Sequence, residues 1–167
     1  PMHDVIITGG TVVDGTGAPA VRADVAVSDG VITHIGVVEG SATRTVDATG
    51  RYVTPGFVDI HTHLDAQISW DPLGTSSCFH GVTSVVIGNC GVGVAPAPAH
   101  MRERLMQDLV GVEGIPLEAM RQGIQWRWER FGEYLDALDG SGLGIHVAAL
   151  LAYTPVRHCV MGADALE

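Results

Sequence analysis

Two short stretches of this sequence carry side chains whose types and spacing suit metal chemistry. His61-Thr62-His63 sets two imidazoles at i and i+2. At the end of a β-strand such residues point to one side, so both can reach a single ion. Asp59 shares that face. The second stretch is Asn89-Cys90, flanked by Gly88 and Gly91. The glycines let the backbone turn sharply and come close to a bound group, and thiolate is a good zinc ligand. Counting alternately back from Cys90 through Gly88, Val86 and Ser84 directs the thiol to the same mouth as the histidines. Taken by itself, the His-x-His tripeptide is equally compatible with a partly exposed strand end that binds nothing. A free cysteine is most often a small buried hydrophobe.

The other candidates read as structural. Cys78, Cys90 and Cys159 are odd in number and widely spaced, which argues against a disulfide framework. Cys78 and Cys159 are expected to be buried packing residues. His146 opens a strand and so belongs to the end away from the chemistry. His3, His34, His80, His100 and His158 are scattered and are expected to be structural or solvated. Trp126, Trp128, Phe131, Tyr134 and Leu135 could line a substrate pocket, but aromatics so placed are more often packing.

The elements that must position these residues fall into two groups. From Asp4 to Thr54 the sequence reads as short strands, Val5–Thr8, Thr11–Val13, Asp24–Val27 and Val31–Ile35, with Asp29-Gly30 as a two-residue hairpin turn. This predicts a small antiparallel, β-sandwich-like domain over residues 1–55. Thr54-Pro55-Gly56 breaks the pattern, and strands follow at Phe57–His61, Thr83–Gly88 and Ile145–Ala152. Helices are expected at Met101–Val110 and Glu129–Leu138, with a shorter one at Leu117–Arg121. Strands alternating with helices point to βα units around a parallel sheet. If the first of them opens a barrel, the His-x-His lies at its carboxyl end, where barrel active sites are built. A full (β/α)₈ barrel takes roughly 250 residues, so residues 56–167 are expected to hold about three of its βα units and to be cut short at the C-terminus. The predicted class is α/β with a small β domain.

Composition narrows the function. The charge of −10 comes from nineteen acids against nine arginines, with no lysine, so no basic face exists for nucleic acid. The longest apolar runs, Val82–Ile87 and Val147–Ala152, fall far short of the roughly 20 residues that span a bilayer. Nothing at Pro1–Gly10 reads as a leader, and the expected location is the cytoplasm. Oligomeric state is left open.

The run Val53-Thr54-Pro55-Gly56-Phe57-Val58-Asp59-Ile60-His61-Thr62-His63 resembles the opening of the amidohydrolase superfamily, in which a β domain precedes a barrel with this His-x-His on its first strand. Asp65-Ala66-Gln67, Trp70-Asp71-Pro72, His80-Gly81-Val82-Thr83, Gly88-Asn89-Cys90-Gly91-Val92-Gly93, Trp126-Arg127-Trp128 and Glu133-Tyr134-Leu135-Asp136-Ala137-Leu138 extend the likeness. Together they are similar to the N-acyl-D-amino-acid deacylase (D-aminoacylase) family.

That resemblance implies hydrolysis of the amide of an N-acyl-D-amino acid, a small-molecule substrate, to a carboxylate and a free D-amino acid. It implies one or two Zn²⁺ ions, with His61 and His63 on one and Cys90 as a thiolate able to bridge. Asp59, Asp65 and Asn89 are the residues expected around those ligands. Many amidohydrolases bridge with a carboxylated lysine, which this chain cannot supply. The family's other histidine ligands and its general-base aspartate are expected beyond Glu167, leaving no general base in this segment. One departure stands out: where the family shows Gly-His and then an arginine after the third strand, Ala152-Tyr153-Thr154-Pro155 precedes Val156-Arg157. The competing readings are a cyclic-amide hydrolase of the hydantoinase or dihydroorotase type, a phosphoesterase that lacks the β domain, and a metal-binding fragment without turnover.

Overall fold

The computed structural model describes residues 2–166 and divides into two compact units, Pro1–Pro55 and Gly56–Glu167.

The first unit is one mixed five-stranded sheet. It comprises β1 (Met2–Val12), β2 (Val21–Ser28), β3 (Val31–Gly36), β4 (Ser41–Asp47) and the two-residue β5 (Tyr52–Val53). The order is β3-β2-β1-β4, with β5 also on β1. β1, β2 and β3 pair antiparallel, and Asp29-Gly30 turns the hairpin with φ of 51° and 72°. Positive φ at both central positions is what a type I′ turn requires. β4 and β5 run parallel to β1, which corrects the expectation of an antiparallel, sandwich-like segment to a single mixed sheet. β4 escaped the sequence reading because Ser41-Ala42-Thr43-Arg44-Thr45-Val46-Asp47 is polar and only Ala42 and Val46 are half-buried. An edge strand with one thin apolar face carries little hydrophobic signal. The two expected strands before residue 14 are one strand, irregular in register between Ile7 and Gly10.

The second unit places three parallel strands, β6 (Phe57–Asp59), β7 (Val82–Ile87) and β8 (His146–Ala149), in the order β6-β7-β8. With them come α1 (Arg102–Glu113), α2 (Leu117–Gly123), α3 (Phe131–Asp139) and α4 (Tyr153–Met161). β7 shows how the core is built. Val85 and Ile87 are buried in a cluster with Leu105 and Leu109 of α1, Met120 of α2, and Tyr134 and Leu138 of α3. The alternate positions point to the other face, where Val58, Ile60 and Leu150 are 61%, 73% and 52% exposed. One sheet face is therefore packed by helices and the other is apolar and open. β6 and β8 are shorter than expected, ending at Asp59 and Ala149, whereas β7 has the expected length and is shifted by one residue toward the N-terminus. Among the described residues no helix is long and apolar enough to cross a membrane.

Tyr153-Thr154-Pro155, where the sequence departs from the family pattern, forms the first turn of α4. Proline is tolerated there because the first amides of a helix have no intrahelical acceptor. Trp128 and Tyr134 are packing residues: both are buried, the indole N–H donates to Val94 O at 2.7 Å, and the phenol donates to Asp65 O at 2.9 Å. His158 is buried with Nε2 3.3 Å from Asp108 Oδ2, while His146 is exposed at the start of β8.

Candidate metal centre

Just beyond the carboxyl ends of β6 and β7, one ligand atom from each of His61, His63 and Cys90 lies within 4.8 Å of the others. His61 Nε2 is 3.2 Å from Cys90 Sγ, and the two imidazole centroids are 5.5 Å apart. Crevices outside the carboxyl ends of parallel strands are where α/β proteins place ligands. His61 and Cys90 are exposed and His63 is partly buried, so the three donors form an open cluster. Bonds of about 2.0 Å to nitrogen and 2.3 Å to sulfur at tetrahedral angles set zinc ligands about 3.3–3.6 Å apart. The His61–Cys90 separation of 3.2 Å lies just under that spacing.

The local backbone explains the convergence. β6 ends at Asp59, whose Oδ1 accepts the His61 amide at 3.2 Å. Asp59 thus turns back on its own chain and shapes the loop that carries the histidines. Thr62, between them, is buried, and its amide and hydroxyl both donate to Val86 O, at 3.1 and 2.8 Å. The middle residue of the motif is pinned to β7, which leaves the imidazoles on either side free to reach outward.

Cys90 arrives by a turn and not by strand alternation, which corrects the sequence argument. β7 stops at Ile87, Gly88 has φ 80°, and Cys90 itself has φ 53°. A Cβ on Gly88 would lie 2.3 Å from Leu150 O, so close approach and left-handed backbone both demand glycine there. A cysteine at positive φ costs on the order of 1–2 kcal/mol, and residues so strained gather at functional sites. Asn89 holds the turn: its Nδ2 donates to Val86 O at 2.9 Å and to Thr62 O at 3.2 Å.

Beneath the cluster, Asp65 is buried, and burial pushes its carboxyl up to about 7 against the opposing pull of the Gly88 amide. Its Oδ2 has no hydrogen-bond partner among the described residues. Glu113, the last residue of α1, brings Oε1 to 3.2 Å from His63 Nδ1; burial raises its carboxyl, and His63 opposes that. Nothing in the sequence pointed to Glu113, which lies fifty residues from His63 with no motif around it. Cys78 and Cys159 are partly buried, and burial pushes the Cys159 thiol up. Neither belongs to the cluster.

A family model described as "Amidohydrolase family" matches residues 44–163. A D-aminoacylase of Alcaligenes xylosoxydans xylosoxydans is 36% identical over 159 residues, covering 95% of this chain and 31% of that one. The crystal structure of an N-acyl-D-glutamate deacylase from Bordetella bronchiseptica, complexed with zinc and a phosphonate inhibitor, matches with a TM-score of 0.75 and 37% identity. It covers 94% of this chain and 31% of that one. A D-aminoacylase structure concerned with a binuclear metal centre matches with a TM-score of 0.78 and 35% identity, over 98% of this chain and 34% of that one. The chain spans between 27% and 31% of the length of the first curated relatives it matches.

Proposed function

The chain belongs to the amidohydrolase family, and from that premise we propose that it supplies part of the metal centre of a zinc-dependent N-acyl-D-amino-acid deacylase. The observation that carries this reading is the convergence of His61, His63 and Cys90, which fits zinc by donor chemistry: two imidazoles and one thiol are favoured zinc donors. Likeness at 36–37% identity to a D-aminoacylase and an N-acyl-D-glutamate deacylase supports the substrate class. Residues 56–167 are read as the opening βα units of a barrel, with residues 1–55 as the β domain before it.

Zinc, when bound, supplies Lewis acidity toward the scissile amide carbonyl and lowers the pKa of a bound water to about 7. His61 and His63 would hold the metal through neutral imidazole nitrogens, and Cys90, as a thiolate, would add a negatively charged donor. Asn89 and Thr62 keep the two ligand loops in register. Of the acids expected around the ligands, Asp59 accepts the His61 amide and Asp65 accepts the Gly88 amide at the start of the Cys90 turn. The general base is assigned to the part of the relatives' length that this chain does not cover. Its role is to take a proton from the attacking water and deliver it to the leaving amine.

The test is to purify the protein that carries this chain, measure its zinc, and assay N-acetyl-D-methionine, its L-enantiomer and a 5-substituted hydantoin. Chelator-sensitive, zinc-restored turnover of the D-amide alone is the expected result. Turnover confined to the hydantoin would replace the linear amide with a cyclic one and overturn the substrate assignment.

A further inference from the structure

Glu113 sits where a carboxylate is hard to keep. It ends α1, where the helix dipole disfavours negative charge by roughly 0.3–1 kcal/mol. The last turn of α1 has no basic residue, and only 18% of the Glu113 side chain is exposed. A carboxylate taken from water needs a partner. Its Oε1 is buried, has no aligned hydrogen bond, and lies 3.2 Å from His63 Nδ1. His63 Nδ1 is in the same condition: buried, without an aligned partner, its side chain also 18% exposed. Neither atom has an aligned hydrogen-bond partner among the described residues, and the two lie 3.2 Å apart.

An imidazole has two nitrogens, and the hydrogen bond made by one decides which is left to bind metal. We propose that Glu113 is the positioning residue for His63, accepting its Nδ1–H and so presenting Nε2 to the metal. This rests on the metal-centre reading above and adds to it the residue that fixes one ligand's tautomer and ring angle. The arrangement links the end of α1 to the loop after β6, so the helix that packs the sheet core through Leu105 and Leu109 also sets the ligand. Carboxylate partners of ligating histidines typically contribute 10–100-fold to metal affinity. They raise ligand basicity and hold the ring before the ion arrives.

The experiment uses the metal-stripped full protein and its Glu113→Ala, Glu113→Gln and Gln107→Ala variants, the last an exposed position on the same helix. Zinc affinity is read by competition with a chromogenic chelator. The His63 tautomer is read from its ring ¹⁵N shifts in the zinc-loaded protein, a signal that a purely structural role for Glu113 does not move. Glu113→Ala is expected to weaken zinc binding 10–100-fold and to speed exchange of the His63 Nδ1 proton. Glu113→Gln, which keeps an acceptor but loses the charge, should lie between it and the parent, and Gln107→Ala should match the parent. Parent-like affinity and an unchanged His63 signal in Glu113→Ala overturn the assignment, as does a His63 bound through Nδ1. A parent that binds no zinc overturns the metal-centre reading itself, a failure distinguishable from the first because it appears before any substitution is made.

Discussion

The Asn89 side-chain amide donates to the carbonyl of Thr62 at 3.2 Å, tying the residue before Cys90 to the residue between His61 and His63. The same nitrogen reaches Val86 O at 2.9 Å, the carbonyl that also accepts the Thr62 amide and hydroxyl. One backbone oxygen of β7 thus gathers donors from the loop that carries His61 and His63 and from the turn that carries Cys90. Asn89→Ala removes two of these bonds and leaves acceptors underused, a loss of about 1–2 kcal/mol in stability. Because the freed Cys90 turn must be ordered again by the metal, zinc affinity should fall about tenfold as well. Thermal melting with and without zinc separates the two effects: the zinc-induced rise in melting temperature should shrink. An undiminished rise shows that Asn89 stabilises the fold without organising the ligands.

Cys90 is the thiol that lies within the cluster. Cys90→Ser replaces a soft, ionisable donor with a hard hydroxyl, so zinc content and turnover of the full protein should fall together. Cys78→Ser and Cys159→Ser should change zinc content little, since neither thiol belongs to the cluster. Equal loss of zinc in all three variants would show that the thiols act through folding.

The strained backbone at Cys90 makes a second, opposite prediction at the same position. With φ at 53°, Cys90→Gly relieves roughly 1 kcal/mol of left-handed strain, offset in part by the greater freedom of glycine in the unfolded chain. The metal-free variant should melt no lower than the parent while binding zinc far more weakly. A clear drop in its metal-free melting temperature argues that the Cys90 side chain packs more than it ligates.

Gly88→Ala tests the turn that delivers the thiol. The new methyl meets Leu150 O at 2.3 Å on a backbone with φ 80°. Overpacking of about 1–3 kcal/mol adds to a left-handed penalty of about 1–2 kcal/mol, so the variant should lose about 2–5 kcal/mol in urea denaturation. A loss under about 0.5 kcal/mol would mean that Leu150 yields easily and that the turn does not depend on this close approach.

Some of this was legible in the sequence, and the reasons differ residue by residue. Val82–Ile87 announces itself as a buried strand because its apolar run is bounded by glycines. Asp29-Gly30 announces a hairpin because few residue pairs accept positive φ twice. β4 was hidden by its polar edge, and α4 by a proline that marks a helix start as readily as a break. The histidine pair and Cys90 could be picked out by type and placement, but alternation along β7 does not reach Cys90; a left-handed turn at Gly88 does. Glu113 could not be found at all, since its role depends on where the end of α1 lies in space. Local patterns report local geometry, and the pairing of residues fifty positions apart is a property of the packed fold.

A last prediction concerns pH and a part of the structure away from the cluster. Asp71 accepts hydrogen bonds from the Thr75 amide at 2.8 Å, the Thr75 hydroxyl at 2.5 Å and the Gln67 amide at 3.0 Å. Burial is the largest single influence and pushes its carboxyl up, but the donors from Thr75, Gln67 and Leu73 together outweigh it and hold the group below its ordinary 3.8. A carboxyl depressed on folding stabilises the folded state fully above its unfolded value, and that stability is lost as pH falls through the folded value. The contribution should therefore be constant from about pH 5 upward and vanish only in strong acid. Asp71→Asn keeps the size of the side chain, replaces one acceptor oxygen with a donor and removes the charge, at a cost of about 1–2 kcal/mol after allowing for partial solvent exposure. Urea midpoints of parent and variant, measured in steps from pH 7 to pH 3, should differ by a constant amount down to about pH 5 and begin to converge below about pH 4. A difference that stays constant throughout would place the effect of Asp71 in packing of the Gln67–Thr75 turn and not in its charge.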